Sequence, residues 1–303
     1  MSRISAAHFR WTCSNARVAA LSSSPRSSLW AGWPKWRDSL KTSDPACLAP
    51  GPPTGHAGLL YERLAASGAA ADAIRPGGLP LTERALTLCP FPPGSRLLDV
   101  GCGVGTTVRY LTDRHGHRAA GIDPSALMIE TGRRRYPGLW LMRARGEALP
   151  FADDVLDGVL AECSLSVTRA ADRVVREIHR TLTPGGKLLM SDVYARNPEF
   201  LPELRRIGLS GCLGGIKSME ELAFSLGASG FEILHWEDHS AELKLFAARL
   251  ILSGGFAADF RCLWGECGGE GRNPEKTRQA VSRVRPGYFL LIAGKRMKKA
   301  AGF

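Results

Sequence analysis

Leu97-Leu98-Asp99-Val100-Gly101-Cys102-Gly103-Val104-Gly105 reads as an apolar strand that ends in a carboxylate and runs into three glycines at alternate positions. Glycines there let a backbone come close to a ligand at the carboxyl end of the first strand, where open α/β sheets bind their ligands. The spacing is G-x-G-x-G, not the G-x-G-x-x-G of dinucleotide folds. A stretch that changes from strand to glycine loop to helix fixes a βαβ start and with it a parallel sheet.

The rest of the chain continues that pattern. Apolar segments at Arg96–Val100, Arg118–Ile122, Leu139–Arg143, Val155–Ala161 and Lys187–Asp192 alternate with helical stretches. Phe231–Trp236 and Tyr288–Ala293 bring the count to seven strands, and the expected fold is a doubly wound, mostly parallel seven-stranded α/β sheet. Ahead of it, Leu59, Leu60, Leu64 and Ala65 share a helical face, and a second helix is expected from Leu81 to Leu88 after the turn Arg75-Pro76-Gly77-Gly78. These two are expected to lie over the mouth of the sheet as a lid. An insertion at about 240–286 precedes the last strand. It holds a helix from Ala241 to Leu252, a Gly/Cys-rich loop from Cys262 to Gly271, and a basic helix from Pro274 to Arg283.

Residues 1–55 are rich in Ser, Arg, Trp, Pro and Ala and show neither helical nor strand periodicity, so a disordered extension is expected before a domain over 56–303. Its acid-poor, Arg-rich character is shared by organelle transit peptides; an extension without function is the alternative. Of the formal net charge of +11, these residues carry +5 and the tail Lys295, Arg296, Lys298 and Lys299 carries +4, leaving +2 between them. That is not the footprint of a nucleic-acid groove, and no nucleic-acid partner is expected. No apolar run is long enough to span a membrane, and eight irregularly spaced cysteines do not form a secreted disulfide framework. A cytoplasmic location with reduced thiols follows.

The second strand ends Ala120-Gly121-Ile122-Asp123, placing a carboxylate 24 residues after Asp99 where it can receive two ribose hydroxyls. Capping of the next helix is a role Asp123 can hold at the same time. Gly146-Glu147-Ala148-Leu149-Pro150-Phe151 follows the third strand, and Leu182-Thr183-Pro184-Gly185-Gly186-Lys187 opens the fifth. In this order the four motifs resemble class I S-adenosylmethionine (SAM)-dependent methyltransferases of the ubiquinone/menaquinone-biosynthesis type, over roughly Arg75 to Asp238. The resemblance implies SAM as cofactor, held at Asp99, Gly101, Cys102, Gly103 and Gly105, with its ribose on Asp123 and its adenine beside Met128, Gly146 and Glu147. Cys102 is equally well read as a small buried residue. Arg145 stands where that family usually has an acid reaching the adenine amine, and a guanidinium can only donate.

Methyl transfer is an in-line displacement with an activated leaving group, so proximity and alignment dominate and no metal is needed. The acceptor is expected to be a small molecule. Candidate general bases are Glu162 and Asp192 at strand tips, with Tyr194 and His179 behind them. Cys163 and Cys212 stand where the chain resembles arsenite methyltransferases, and the resemblance implies two thiolates for a soft, thiophilic acceptor. A SAM-fold protein without catalysis, acting as an accessory module, is a further alternative. Cys262 and Cys267 lack a second ligand pair, and His235 of the His235/His239 pair falls on a strand, so no metal site is expected. A nucleic-acid methyltransferase would carry Asn/Asp-Pro-Pro-aromatic or Pro-Cys after strand four, where Glu162-Cys163-Ser164-Leu165 stands. The sequence leaves the oligomeric state open.

Overall fold

The computed structural model describes residues 62, 74–168, 170–252 and 273–297. The extension over 1–55, the expected helix beginning at Gly58 and the Cys262–Gly271 loop lie outside the described residues.

The elements run α1 (Gly78–Leu88), β1 (Arg96–Val100), α2 (Thr106–Asp113), β2 (Arg118–Asp123), α3 (Ala126–Arg135), β3 (Trp140–Arg143) and β4 (Leu156–Glu162). They continue α4 (Ala171–Thr181), β5 (Leu182–Ala195), α5 (Leu201–Ile207), α6 (Met219–Ala228), β6 (Phe231–Asp238), α7 (Ser240–Leu252), α8 (Pro274–Val284) and β7 (Pro286–Lys295). All seven expected strands form one sheet in the order β3-β2-β1-β4-β5-β7-β6. β1 to β5 pair in parallel, whereas β7 runs antiparallel to both β5 and β6. This is the expected doubly wound, mostly parallel sheet, and the strand order reverses between β1 and β4.

Strand alternation sorts the core into two layers. Leu98, Val100, Ala120 and Ala161 face α4 and α6, while Leu97, Ala119 and Leu160 face α1, α2, α3, α5 and α8. α4 buries Val174, Val175, Ile178 and Thr181 at helical spacing. Chain direction changes are fixed by side-chain caps: Ser125 accepts from the Met128 N–H ahead of α3, and Ser218 with Glu221 closes a capping box on α6.

The largest boundary differences from the sequence reading fall at α1 and β5. α1 starts at Gly78, three residues earlier than expected, because Gly77 takes the left-handed turn (φ 73°) and Pro80 falls in the first turn, where its missing N–H has no partner to lose. β5 is longer at both ends than Lys187–Asp192: it pairs with β4 from Leu182 across a bulge, and with β7 as far as Ala195. Among the described residues, no helix is long and apolar enough to cross a membrane.

Candidate functional site

Asp99 lies in register with Gly121 of β2 and Leu160 of β4. Asp123 is two residues beyond Gly121, and Glu162 two beyond Leu160, so alternation turns all three carboxylates to the sheet face covered by α1 and α2. They gather at the carboxyl ends of β1, β2 and β4, at the point where the strand order reverses. Asp99 is only 3% exposed. Burial, reinforced by Glu162 and Asp123, raises its carboxyl to about 8, while Arg75 pulls it back. Burial also lifts Asp123 to about 6, opposed by N–H groups of Ser125 (2.8 Å) and Gly103 (3.0 Å) that hold its carboxylate. Those two bonds leave lone pairs for further donors.

The glycine loop divides its labour. Gly101 and Gly105 take left-handed backbone (φ 82° and 85°), and a Cβ would sit 2.6 Å from Ser164 Cβ and 2.9 Å from Leu141 respectively. Gly103 is also left-handed at φ 55°, but a Cβ there would meet nothing nearer than Met128 Cε at 3.9 Å. Packing and backbone conformation therefore demand glycine at the outer two positions, and the middle one faces open space. Cys102 is buried, turns its Sγ toward Gly121, and gives its N–H to the Ile122 carbonyl.

The segment ahead of α1 reaches the same place. Arg75 Nη2 lies 2.8 Å from Glu162 Oε2 and 2.5 Å from Thr82 Oγ1, with both charged side chains 8% exposed. Thr82 donates to Glu162 Oε1 (2.7 Å) and Thr107 to Oε2 (3.0 Å). Glu162, a candidate general base from the sequence, is thus tied to α1 and α2 by three partners. Asp192 is committed as well: it accepts from the Ser166 hydroxyl (2.5 Å) and from the N–H groups of Ser166 and Val193, holding the loop that follows β4. Tyr194 donates its hydroxyl to Asp238. His179 packs its ring against Phe231 and feels Lys295 and Asp154, at the end of the sheet opposite the strand tips.

Three buried side-chain atoms without a hydrogen-bond partner border the glycine loop and the tips of β1 and β4: Arg75 Nε, Thr106 Oγ1 and Ser164 Oγ. Buried polar atoms are nearly always satisfied in native proteins, so such a group marks a place for a polar ligand. The sequence reading missed Arg75, Thr82, Thr106 and Thr107. Arg75 reads as part of a turn, and the threonines carry no motif of their own.

Cys163 follows β4 in a left-handed conformation rare for a side chain (φ 55°). Its thiol is pushed well up by burial, then by Asp192 and by Cys212; the Cys212 thiol is raised to about 12 by burial and Asp192. These surroundings favour the protonated form of both thiols. On the other side of the loop, Met128 packs with Val104, and Gly146 sits where a Cβ would be 3.0 Å from Val174 of α4. Arg145 lies 3.6 Å from Glu147, which also accepts from Thr168.

His235 and His239 each lie 3.0 Å from Glu237, which Arg84 also grips at 2.5 Å. With Arg84 first, these partners hold the Glu237 carboxyl down at about 2. No group of three or more His, Cys, Asp and Glu suited to a metal occurs among the described residues.

Residues 98–190 match the methyltransferase domain family. The match runs from β1 into β5, the stretch that carries the glycine loop and Asp123, and bears out the resemblance to class I SAM-dependent methyltransferases. A 24-methylenesterol C-methyltransferase of Oryza sativa is 32% identical over 165 residues, covering 50% of this chain and 45% of that protein. A demethylmenaquinone methyltransferase of Renibacterium salmoninarum is 34% identical over 110 residues, covering 36% and 45%. The chain thus spans about half the length of the relatives it matches. Among solved structures, the [4+2]-cyclase SpnF is 28% identical with a TM-score of 0.56, covering 72% of this chain and 81% of that one. Haemonchus contortus phosphoethanolamine N-methyltransferase 2, complexed with phosphomonomethylethanolamine and S-adenosylhomocysteine, shares the fold at 18% identity, with a TM-score of 0.60 and coverage of 80% and 58%.

Proposed function

We propose that this chain is a SAM-dependent methyltransferase acting on a small-molecule acceptor. One observation carries the reading: three carboxylates, Asp99, Asp123 and Glu162, share one face at the switch point of a methyltransferase-type sheet, around a glycine loop edged by unpartnered polar atoms. SAM supplies a methyl group on a positively charged sulfur, and it carries an ammonium besides. Asp123 would take the ribose hydroxyls, the open face of Gly103 would admit the ligand against backbone, and Met128 with Gly146 and Glu147 would line the adenine. The carboxyl oxygens of Asp99 and Glu162 can accept from the ammonium, and a cation placed there would favour the ionised form of Asp99. Since the displacement needs alignment above all, Asp192 contributes by fixing the Ser164–Ser166 loop, not by taking a proton.

A small cleft beside the β5 tip is lined by Leu165, Ser166, Met190, Asp192, Val193 and Lys217, and has room for about one water molecule. Incubation with methyl-labelled SAM and sterol-, quinone- and phosphoamine-type acceptors tests the reading; label on any of them supports it. Bound SAM with no transfer to any acceptor favours the accessory-protein alternative, and the likeness to a cyclase illustrates that this fold serves other reactions.

The resemblance at Cys163 and Cys212 supplies a second reading, in which the acceptor is arsenite held by both sulfurs. Arsenite titrated in the presence of S-adenosylhomocysteine should then bind once per chain, and not at all after Cys212→Ser. We place the enzyme in the cytoplasm, as residues 56–303 forming one domain without a nucleic-acid partner; the free thiols of Cys102, Cys163 and Cys212 support a reducing compartment.

A further inference from the structure

Arg75 is buried, yet every contact of its guanidinium described above is made by one nitrogen. Nη2 meets Glu162, Thr82 and, at 3.5 Å, the Gly78 carbonyl. The Nε–H has no acceptor. A guanidinium presents its donors in a rigid fork suited to a carboxylate, and here one prong is left over inside the protein. Its position is set by two independent ties, the ion pair to the β4 tip and the hydrogen bond to α1. Asp99 at the β1 tip senses its charge as well.

The strand order gives this leftover donor a meaning. Asp123, on the proposed reading, fixes a ribose at the tip of β2. β1 and β4 follow in order, two strand spacings or about 10 Å away. A ligand laid across the tips with its ribose on Asp123 brings its far end over β1 and β4, beneath Arg75. The far end of SAM is an amino acid, carrying one ammonium and one carboxylate. Glu162 suits the ammonium and repels the carboxylate, so a second group of opposite sign is needed to hold that end in one orientation.

Building on the SAM reading, we propose that Arg75 anchors the carboxylate of the cofactor's amino-acid end through its Nε–H, and that Glu162 and Thr82 hold the guanidinium in position to do so. The segment before α1 thereby becomes a strap that recognises the amino-acid end of the cofactor, and occupancy of the site is coupled to packing of α1 over the sheet.

The test uses S-adenosylhomocysteine and its decarboxylated analogue, which differ by that carboxylate alone, in calorimetric titrations of the full chain. Wild type should bind S-adenosylhomocysteine at least tenfold more tightly than the analogue. Arg75→Lys, which keeps the charge without the fork, should bring the two ligands within about twofold by weakening S-adenosylhomocysteine only. Thr82→Val, which retains the ion pair while releasing the guanidinium from α1, should give a smaller loss confined to the same ligand. Equal affinity of wild type for the two ligands, or equal losses for both in the variants, would overturn the anchor role while leaving SAM binding in place. Failure of wild type to bind S-adenosylhomocysteine at all would overturn the cofactor reading and this proposal together.

Discussion

Arg75 and Glu162 form a buried ion pair, 2.8 Å between Nη2 and Oε2, that ties the segment ahead of α1 to the tip of β4. Removing one partner of such a pair strands the other charge away from water, which typically costs about 3–5 kcal/mol. Glu162→Gln should therefore lower the unfolding free energy by about that amount in denaturant melts. Glu203→Gln, which breaks the exposed pair with Arg283, should change it by less than about 1 kcal/mol. Equal effects of the two substitutions would mean that the buried pair is no more than a surface contact in energy.

Asp99 makes stability depend on pH in a direction opposite to most carboxylates. Burial raises its folded value to about 8, against 3.8 for an ordinary aspartate. Between these values the folded chain holds a proton that the unfolded chain has lost, so stability is fullest below the lower value and is lost as pH rises through the upper one. Unfolding free energies measured between pH 6 and 9 should fall with rising pH, and Asp99→Asn should flatten that slope. A slope that survives the substitution must come from another group.

Two glycines of one loop should respond differently to alanine. Gly101→Ala meets Ser164 at 2.6 Å on a left-handed backbone, so both the fold and SAM binding should suffer. Gly103→Ala carries the backbone strain, of order 1 kcal/mol, but enters open space. Its melting temperature should fall by only a few degrees, whereas SAM affinity should drop more than tenfold. Unchanged SAM affinity in Gly103→Ala would remove the open face of the loop from the binding site.

The thiols of Cys163 and Cys212 are both raised by burial, the second to about 12. Thiolate is the reactive form, so alkylation by iodoacetamide at pH 8, followed by mass spectrometry, should proceed much more slowly at both than at a free cysteine. Rapid labelling of either would show a thiolate that the local environment does not favour.

Much of this architecture is legible in the residues themselves. β1 and β2 are bounded almost to the residue because each ends in a carboxylate that also ends the apolar run, and the alternation of strands and helices defines a parallel sheet. What was not legible depends on contacts between distant segments. Glu162 and Asp192 read as bases because a carboxylate at a strand tip looks available; only the fold brings Thr82, Thr107 and Arg75 onto the one, and Ser166 onto the other. Arg75 gave no signal, since a basic residue in a Pro-Gly-Gly turn is ordinarily solvated. His179 looked close to the site along the chain but belongs to the opposite end of the strands, because α4 runs antiparallel to the strands it joins.

The central claim is that the carboxylates at the tips of β1, β2 and β4 form a SAM site. Calorimetric titration of the purified, reduced chain with SAM, beside Asp123→Ala, tests it most directly. One SAM should bind per chain, and the substitution should weaken binding at least tenfold, about 1.4 kcal/mol. Absence of SAM binding to the wild-type chain, or identical affinity after loss of Asp123, would contradict the account.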